Sequence, residues 1–183
     1  GDDTRIGIVN SSGLTPETAA KAGACDIHYH GSTSTGGAGP AVQTSVVLQP
    51  GNQLDFRLSD GNPAQGVAGA PDWAGYMMAI CEFEGAVGRA SITSDSGPAE
   101  IAVDAEIVRR DLSGARVLGP PAMFIDFVTN RDGFDTKLII TNTSEDWLGT
   151  SPDSGSCTIR VPGGVPFTTL NIFGGGTYAA KLS

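Results

Sequence analysis

The sequence has few of the residues that most catalytic and metal-binding sites require. Only two histidines occur in 183 residues, His28 and His30, and there is no CxxC or CxxCH motif. Zinc sites, thioredoxin-like redox chemistry and c-type haem attachment therefore lack support. The sequence also contains no Gly-x-Ser-x-Gly element and no EF-hand loop. We therefore expect a protein that is not an enzyme and that requires no cofactor.

Charged residues and long apolar runs are also scarce. Charged residues make up 17% of the chain, and 20 acidic against 11 basic residues give a net charge of −9. A chain this acidic is repelled by phosphate backbones and by anionic lipid surfaces. No apolar run reaches the length of a membrane span. The composition therefore excludes nucleic-acid binding and membrane insertion as expected functions.

The cysteine content indicates an oxidising compartment. Three widely spaced cysteines, Cys25, Cys81 and Cys157, are most simply explained by one disulfide and one odd thiol. In a secreted protein, an odd cysteine raises the prospect of a bond between chains. The chain begins at Gly1 rather than at Met, as it would after removal of a leader. We expect a secreted protein, extracellular or on the cell surface.

What the sequence does contain is a series of short β-strand patterns. The segment 53–58 alternates Leu54, Phe56 and Leu58 with polar residues, as expected for a half-buried strand. With 26 glycines and 11 prolines to form turns, the spacing predicts an all-β fold, an antiparallel β-sandwich of the Ig-like or jelly-roll-like kind. Strands are predicted at 5–10, 25–30, 42–48, 53–58, 75–84, 86–93, 100–109, 123–130, 136–142, 156–161, 166–172 and 177–182.

One short segment carries a helical signal. Thr15 is a suitable N-cap, Pro16 fits the first turn, and Gly23 would end the helix. The sequence therefore predicts one or two helical turns over 15–22, within a loop.

The chain also contains an internal repeat. Residues 1–31 align with residues 133–163 without a gap, at a constant offset of 132 residues and with 11 identities. Further along, the offset falls to 124 residues, because eight residues of the loop at 32–40 are missing from the second copy. The matched residues Asn10, Cys25 and Leu58 correspond to Asn142, Cys157 and Leu182. Such collinear matches indicate duplication of one structural unit.

The two copies are incomplete in different ways. Up to Ser183, the second copy has no counterpart of the segment GYMMAICEFEGAVGRASITS at 75–94. The first copy has no counterpart of the apolar segment at 123–130. We therefore predict a β-sandwich repeat over 1–112 that lacks its leading strand, and a partial second repeat over 113–183. The candidate assembly strand contains Met123, Phe124, Ile125, Phe127 and Val128.

These segments resemble a family of uncharacterised secreted bacterial β-domain proteins. The residues involved are FVTNRDGFDTKLIITNTSEDWLGT (127–150), SGSCTI (154–159) and WAGYMMAICEFEGAVGRASITSD (73–95). The family pattern runs GFDTGIAISNTS, GTC, GYMIAVCNF and FISD, and this chain departs from it at 86–89, where the family tends to have His-Gly-Phe. The resemblance covers most of the chain and implies extracellular or surface β-domains without a known enzymatic activity.

The resemblance also implies a disulfide between Cys25 and Cys81, which we expect to pin two sheets together. Cys157 would then be left without a partner in its own repeat. We interpret it as a buried free thiol, because free cysteine packs well as a small hydrophobe. An inter-subunit bond at Cys157 is the alternative.

Several polar residues have both a functional and a structural interpretation. His28 and His30 alternate on one strand, and an exposed face is favoured over a metal pair because no third ligand is evident. A solvated face is likewise favoured over a pair of glycosidase carboxylates for Glu82, Glu84, Asp104 and Glu106. Calcium is the alternative to plain turns at Asp60-Gly61-Asn62, Asp95-Ser96-Gly97 and Asp132-Gly133.

Aromatic residues and two sequons complete the candidates. Trp73, Tyr76 and Trp147 suit either a sugar-stacking platform or ordinary packing, which is the more frequent role. Asn10-Ser11-Ser12 and Asn142-Thr143-Ser144 match the N-glycosylation sequon, but their place at strand ends favours turns.

The function expected from these observations is structural. The incomplete copies and the odd cysteine favour a subunit of an extracellular bacterial filament or surface assembly, with copies of the same chain as partners. In that hypothesis, subunits join head to tail by β-strand complementation. Closure within one chain is the rival arrangement. A monomeric carbohydrate-binding or adhesive module is the alternative function.

Overall fold

The computed structural model describes residues 3–14, 16, 18–94, 97–105, 137–144, 153–161 and 164–181, and these residues form an all-β, antiparallel fold. A single 3-10 turn, Pro63–Gln65, is the helical element of the described residues. The strands are β1 (Asp3–Asn10), β2 (Cys25–Thr33), β3 (Gln43–Thr44), β4 (Gln53–Arg57), β5 (Gly61–Asn62), β6 (Val67–Ala68), β7 (Trp73–Cys81), β8 (Ala86–Ser94), β9 (Gly97–Asp104), β10 (Lys137–Thr141), β11 (Thr158–Ile159), β12 (Phe167–Thr168) and β13 (Thr177–Lys181).

The chain divides into two compact units. The first comprises Gly1–Tyr29, Thr33–Trp73 and Met77–Ile107, and the second comprises His30–Ser32, Ala74–Tyr76 and Val108–Ser183. We call the set β1 to β4 the first repeat and the set β10 to β13 the second repeat. Each belongs to one unit, apart from the three residues of β2 that are grouped with the second unit.

The first unit is a β-sandwich. One sheet has six strands in the order β6-β5-β4-β1-β8-β9, and the other has three in the order β3-β2-β7. In the larger sheet, Ile6 lies opposite Phe56 and Ile8 opposite Leu54, so alternate residues of both strands enter the core. Both sheets contribute to a single cluster of buried residues: Ile6, Ile8, Cys25, Ile27, Leu48, Leu54, Phe56, Val67 and Phe83. Burying each large aliphatic or aromatic side chain there contributes about 1.5–3 kcal/mol.

The predicted fold class is therefore confirmed, while the Ig-like or jelly-roll-like topology stays a prediction. The strand patterns at 5–10, 25–30, 53–58 and 86–93 correspond to β1, β2, β4 and β8. Three predicted strands are much shorter than expected. Only Gln43–Thr44 of 42–48, Thr158–Ile159 of 156–161 and Phe167–Thr168 of 166–172 are paired as strands.

The helical prediction at 15–22 is wrong for the residues described there. Residues 16 and 18–22 adopt turn, bend or irregular conformations. Side chains from the preceding turn bind this backbone instead: the Lys21 N–H donates to Ser12 Oγ at 3.0 Å, and Lys21 O accepts from Asn10 Nδ2 at 2.8 Å. Local side-chain bonds of this kind compete with helix formation.

The predicted disulfide is present, but not where we expected it in the sandwich. Cys25 and Cys81 are bonded, with Cα atoms 4.0 Å apart. They lie at the start of β2 and the end of β7, which are neighbours in the three-stranded sheet. The bond therefore joins two strands of one sheet, and the expectation that it pins two sheets together is wrong.

Some predictions fall on residues outside the described ranges. They include the candidate assembly strand with Met123, Phe124, Ile125, Phe127 and Val128, as well as Glu106, Trp147 and the turn Asp132-Gly133. Among the described residues, no helix is long and apolar enough to cross a membrane.

Candidate functional site: the open strands of the second repeat

An asparagine at the end of β1 holds the first repeat together. Asn10 is fully buried, and its Nδ2 donates to Lys21 O at 2.8 Å and to Leu48 O at 2.9 Å. Its Oδ1 accepts from the N–H of Ser12 at 3.1 Å, which forms an Asx turn. One side chain thus links three stretches of backbone, and the interpretation of this sequon as a turn is confirmed.

The second repeat reproduces these hydrogen bonds. Asn142 Nδ2 donates to Asp153 O and to Ile172 O, both at 2.9 Å, and Asn142 Oδ1 accepts from the Ser144 N–H at 3.0 Å. The acceptors Asp153 and Ile172 occupy the positions of Lys21 and Leu48 in the alignment of the two copies. The matched asparagines are therefore structural residues, and their conserved spacing reflects a shared folding unit.

The strand pairs also correspond. Ile8 lies opposite Leu54 in β1 and β4, and Ile140 lies opposite Tyr178 in β10 and β13. In the other pair, the Cys25 N–H donates to Ser45 Oγ, as the Cys157 N–H donates to Thr169 Oγ1, each at 2.9 Å. The second repeat therefore contains the same four strands as the first, in the same register.

In the first repeat these four strands are closed by β7, β8 and the turn between them, a β-arch that we call the closing arch (Trp73–Ser94). It adds β7 beside β2 in one sheet and β8 beside β1 in the other. Its turn places Phe83 in the core, and the Ser11 N–H donates to Gly85 O at 3.2 Å. The arch also packs closely on Gly23, where a Cβ would stand 3.3 Å from the Phe83 ring.

The second repeat has no closing arch among the described residues. There, β10 pairs only with β13, and β11 only with β12. A Cβ built on Gly155, the counterpart of Gly23, meets nothing within 4 Å. The free sides of β10 and β11 therefore present backbone that no described strand binds.

The backbone groups on the free side of β10 can be identified. The Asn142 N–H donates to Gly176 O and Asn142 O accepts from the Gly175 N–H, both at 2.9 Å, so Asn142 faces β13. Because the direction alternates along a strand, Ile139 and Thr141 direct their backbone groups to the free side. They correspond to Gly7 and Val9, which lie opposite Arg89 and Val87 of β8.

Several core residues of the first repeat have exposed or half-buried counterparts in the second, although Leu48 and its counterpart Ile172 are buried in both. Cys25 and Ile27 are fully buried, whereas Cys157 is exposed and Ile159 is half-buried. The counterpart of Leu54 is Tyr178, which lines an open cleft of about 260 Å³. The other residues of this cleft are Leu170, Asn171, Ile172, Phe173, Gly176 and Thr177.

Large apolar side chains are exposed around this cleft. Leu170 and Phe173, which line it, expose 82% and 68% of their surface. The first unit also exposes valines, such as Val42 and Val47, but there they lie outside a filled core. The counterparts of Leu170 and Phe173 in the first repeat, Val46 and Gln49, are exposed as well.

Cys157, which directly precedes β11 in the second repeat, is a free thiol. It is exposed, so our interpretation of it as a buried thiol is wrong. Cys157 O accepts from the Thr169 N–H at 2.9 Å, which directs its backbone toward β12. The partner that Cys25 has in the first repeat is Cys81 of the closing arch.

The aromatic candidates are engaged in packing. Trp73 contacts Tyr29 edge to face, with ring centroids 5.3 Å apart, and burial raises the pKa of Tyr29. Within the second unit, Tyr76 stacks on His30 with centroids 4.8 Å apart and donates to Thr143 O at 3.2 Å. These contacts place Trp73 and Tyr76 in separate packing arrangements and do not form a shared stacking platform.

The polar candidates do not converge on a metal or catalytic centre in the described part of the chain. No group of three or more His, Cys, Asp or Glu side chains able to hold a metal ion occurs there. Glu82, Glu84 and Asp104 are exposed, and Glu82 Oε2 accepts from the Ala24 N–H at 3.0 Å. In the turn at Asp60-Gly61-Asn62, Asn62 Nδ2 donates to Asp55 O at 2.8 Å.

The sequence did not predict the open strands β10 and β11 directly, although the alignment of the two copies contained the relevant information. Aligning the two copies shows that the second lacks the 75–94 segment, but only the pairing of β7 and β8 shows what that segment contributes. It supplies one strand to each sheet and the disulfide partner of Cys25.

No protein-family model, no curated protein and no solved structure matches this chain. The resemblance to secreted bacterial β-domain proteins therefore stays a prediction, and the internal comparison of the two repeats is the guide to the site.

Proposed function

We propose that the protein is a structural subunit of an extracellular filament or surface assembly, in which chains join by β-strand complementation. The observation that carries the proposal is the contrast between equivalent strands. β1 and β2 each have strands on both sides, whereas β10 and β11 have a described strand on one side only.

Open strands of this kind favour association. Unpaired N–H and C=O groups lose hydrogen bonds to water when they are covered, so a strand that pairs with them is the natural partner. The adjoining apolar cleft with Leu170 and Phe173 adds hydrophobic area that such a partner would bury. Main-chain pairing and side-chain burial together constitute β-strand addition.

The geometry supports head-to-tail assembly. The open strands β10 and β11 belong to the second repeat, whereas the first repeat already has its closing arch. The surface that the second repeat offers to a neighbouring subunit therefore differs from the surface that the first repeat offers. Contacts between unlike surfaces propagate into a filament unless they close into a ring. The segment 123–130 remains the proposed donor strand for the first repeat of a neighbour.

An extracellular location agrees with the chemistry of the chain. The Cys25–Cys81 disulfide requires an oxidising compartment to persist. The net charge of −9 keeps dispersed chains apart at low salt, so added salt should promote assembly.

A proline on the free side of β10 tests the proposal. Ile139→Pro removes an N–H that faces away from β13, so it blocks strand addition while leaving the β10–β13 pairing in place. Ile139→Ala is the matched control, because it shortens the side chain and keeps the N–H.

The measurement is light scattering with negative-stain microscopy of the full chain at increasing concentration. We expect wild type and Ile139→Ala to polymerise and Ile139→Pro to remain small. A wild-type chain that stays monomeric at high concentration would contradict the proposal and favour closure within one chain.

A further inference from the structure

We propose that two side-chain amides of the first repeat, those of Gln65 and Asn62, form an autoinhibitory contact that closes the outer edge of β4 to strand addition. The contact occupies backbone groups that a strand from a second copy of this chain would otherwise bind. It acts in the dispersed chain, and it does not depend on the proposed filament.

The outer edge of β4 is the side that faces away from β1. The Leu58 N–H donates to Thr4 O at 2.7 Å, so the backbone of Leu58 faces β1. Because the direction alternates along a strand, Gln53, Asp55 and Arg57 direct their backbone groups to the outer side. There, β5 pairs with β4 at Arg57 alone. No described strand therefore pairs with Gln53 or Asp55 on this side.

Side chains bind these backbone groups in place of a strand. Gln65 Oε1 accepts from the Asp55 N–H at 2.8 Å, and Gln65 Nε2 donates to Gln53 O at 2.9 Å. Asn62 Nδ2 donates to Asp55 O at 2.8 Å and to Gln65 Oε1 at 3.0 Å, so the two amides also hold each other. A carboxamide carries the same N–H and C=O groups as a peptide unit, and it satisfies a strand edge as a neighbouring strand would.

The segment that carries the two amides is anchored independently of β4. Gln65 O accepts from the Val46 N–H at 3.0 Å, and the Ala68 N–H donates to Gln43 Oε1 at 2.7 Å. Between these two contacts, Val67 is fully buried in the core. The amides are therefore held beside β4, whereas a strand from solution must lose its translational freedom before it binds there. The internal contact wins this competition, and the edge stays closed.

Removal of both amides tests the proposal. Gln65→Ala combined with Asn62→Ala deletes the contact and leaves the anchors in place. Gln49→Ala is the matched control, because Gln49 is an exposed glutamine of the same unit. All variants also carry Ile139→Pro, so that association through β10 does not contribute. In light scattering of the full chain, the double variant should associate at a concentration at least about tenfold lower than the control, since an added strand no longer displaces three hydrogen bonds.

Hydrogen exchange of the Asp55 amide identifies where the double variant associates. In dispersed chains, this amide should exchange at least about tenfold faster in the double variant than in the control, because it has lost its acceptor. In associated material it should be protected again, by the added strand. Gln65→Ala alone keeps the Asn62 bond to Asp55 O, so it should associate at an intermediate concentration.

Two results would overturn the inference. A folded double variant that stays as dispersed as the control would show that the amides only stabilise the first unit. Association in which the Asp55 amide still exchanges rapidly would show that the chains pair elsewhere. Circular dichroism checks the fold, and if the double variant does not fold, Gln65→Ala alone is judged by the same two results.

Discussion

The two repeats have the same strands and the same asparagine hydrogen bonds, yet among the residues that the structure describes only those of the first repeat form a closed core. Cys25 and Ile27 are fully buried, while Cys157 is exposed and Ile159 is half-buried. The difference lies outside the repeated residues, in the closing arch that covers the first repeat. Burial is therefore a property of the completed sandwich, and the conserved motif alone does not provide it.

Substitution of Phe83 should have the largest effect on the difference between the two repeats. Phe83→Ala should lower the free energy of unfolding of the first unit by about 3–5 kcal/mol, because it leaves a cavity where the arch enters the core. Phe173→Ala in the second repeat is the control and should change it by less than about 0.5 kcal/mol, since that ring is exposed. Denaturant titration followed by Trp73 fluorescence, in a Trp147→Phe background, measures both. Equal effects would mean that the arch is not what closes the core.

The cysteines provide a second test. Replacing Cys25 and Cys81 together by serine should cost about 2–4 kcal/mol, because the disulfide restricts the unfolded chain. Cys157→Ser should leave the stability of the dispersed chain nearly unchanged, since its thiol is free and exposed. Thermal unfolding of both variants checks the difference. A large loss of stability for Cys157→Ser would show that this thiol is already packed or bonded in the single chain.

The paired asparagines test how far the equivalence extends. Asn10→Ala should destabilise the first unit by about 1–3 kcal/mol, because the buried Asn10 side chain no longer donates to the carbonyls of Lys21 and Leu48. Asn142→Ala should cost less, since Asn142 is only half-buried and water can replace the lost bonds. Local hydrogen exchange near Lys21 and Asp153 compares the two sites. A larger effect at Asn142 would contradict the open structure of the second repeat.

A smaller, pH-dependent effect is expected at the surface of the first repeat. The hydrogen bond from Arg5 Nε at 2.9 Å lowers the pKa of Asp55 below its ordinary value. A lowered carboxyl pKa contributes stability above the unfolded-state pKa of about 3.9, and this stability is lost as the pH falls through the folded-state value.

Because both side chains are partly exposed, that contribution should be about 0.2–1 kcal/mol. Arg5→Gln should therefore flatten the acid limb of the stability profile between pH 5 and pH 2 by about this amount. Asp55→Asn should have no further effect in the Arg5→Gln background. An unchanged acid limb would contradict the pairing.

The sequence predicted the strands and the repeat because both depend on short-range patterns. Short apolar patterns identified β1, β2, β4 and β8, and the alternating residues Ile27, Leu54 and Phe56 lie in the core. The helical signal at 15–22 failed because Asn10 and Ser12 bind the backbone at Lys21 from a distance along the chain. No local propensity contains that information.

The segment at 42–48 shows a related limit. It is rich in valine, but Ser45 binds Cys25, and the Val46 N–H donates to Gln65 O, so only Gln43–Thr44 pairs as a strand. The sequence also could not predict that Cys25 and Cys81 lie in one sheet. A predicted disulfide between two cysteines does not say whether their strands are neighbours in one sheet or lie in different sheets.

Amide hydrogen exchange on the β10 strand tests the central claim most directly. In the dispersed chain, the amides of Ile139 and Thr141 should exchange rapidly, while those of their counterparts Gly7 and Val9, which face β8, should be protected. In assembled material, Ile139 and Thr141 should become protected as well. Slow exchange of Ile139 and Thr141 in a chain shown to be monomeric would contradict the account, because their free side would then already be covered.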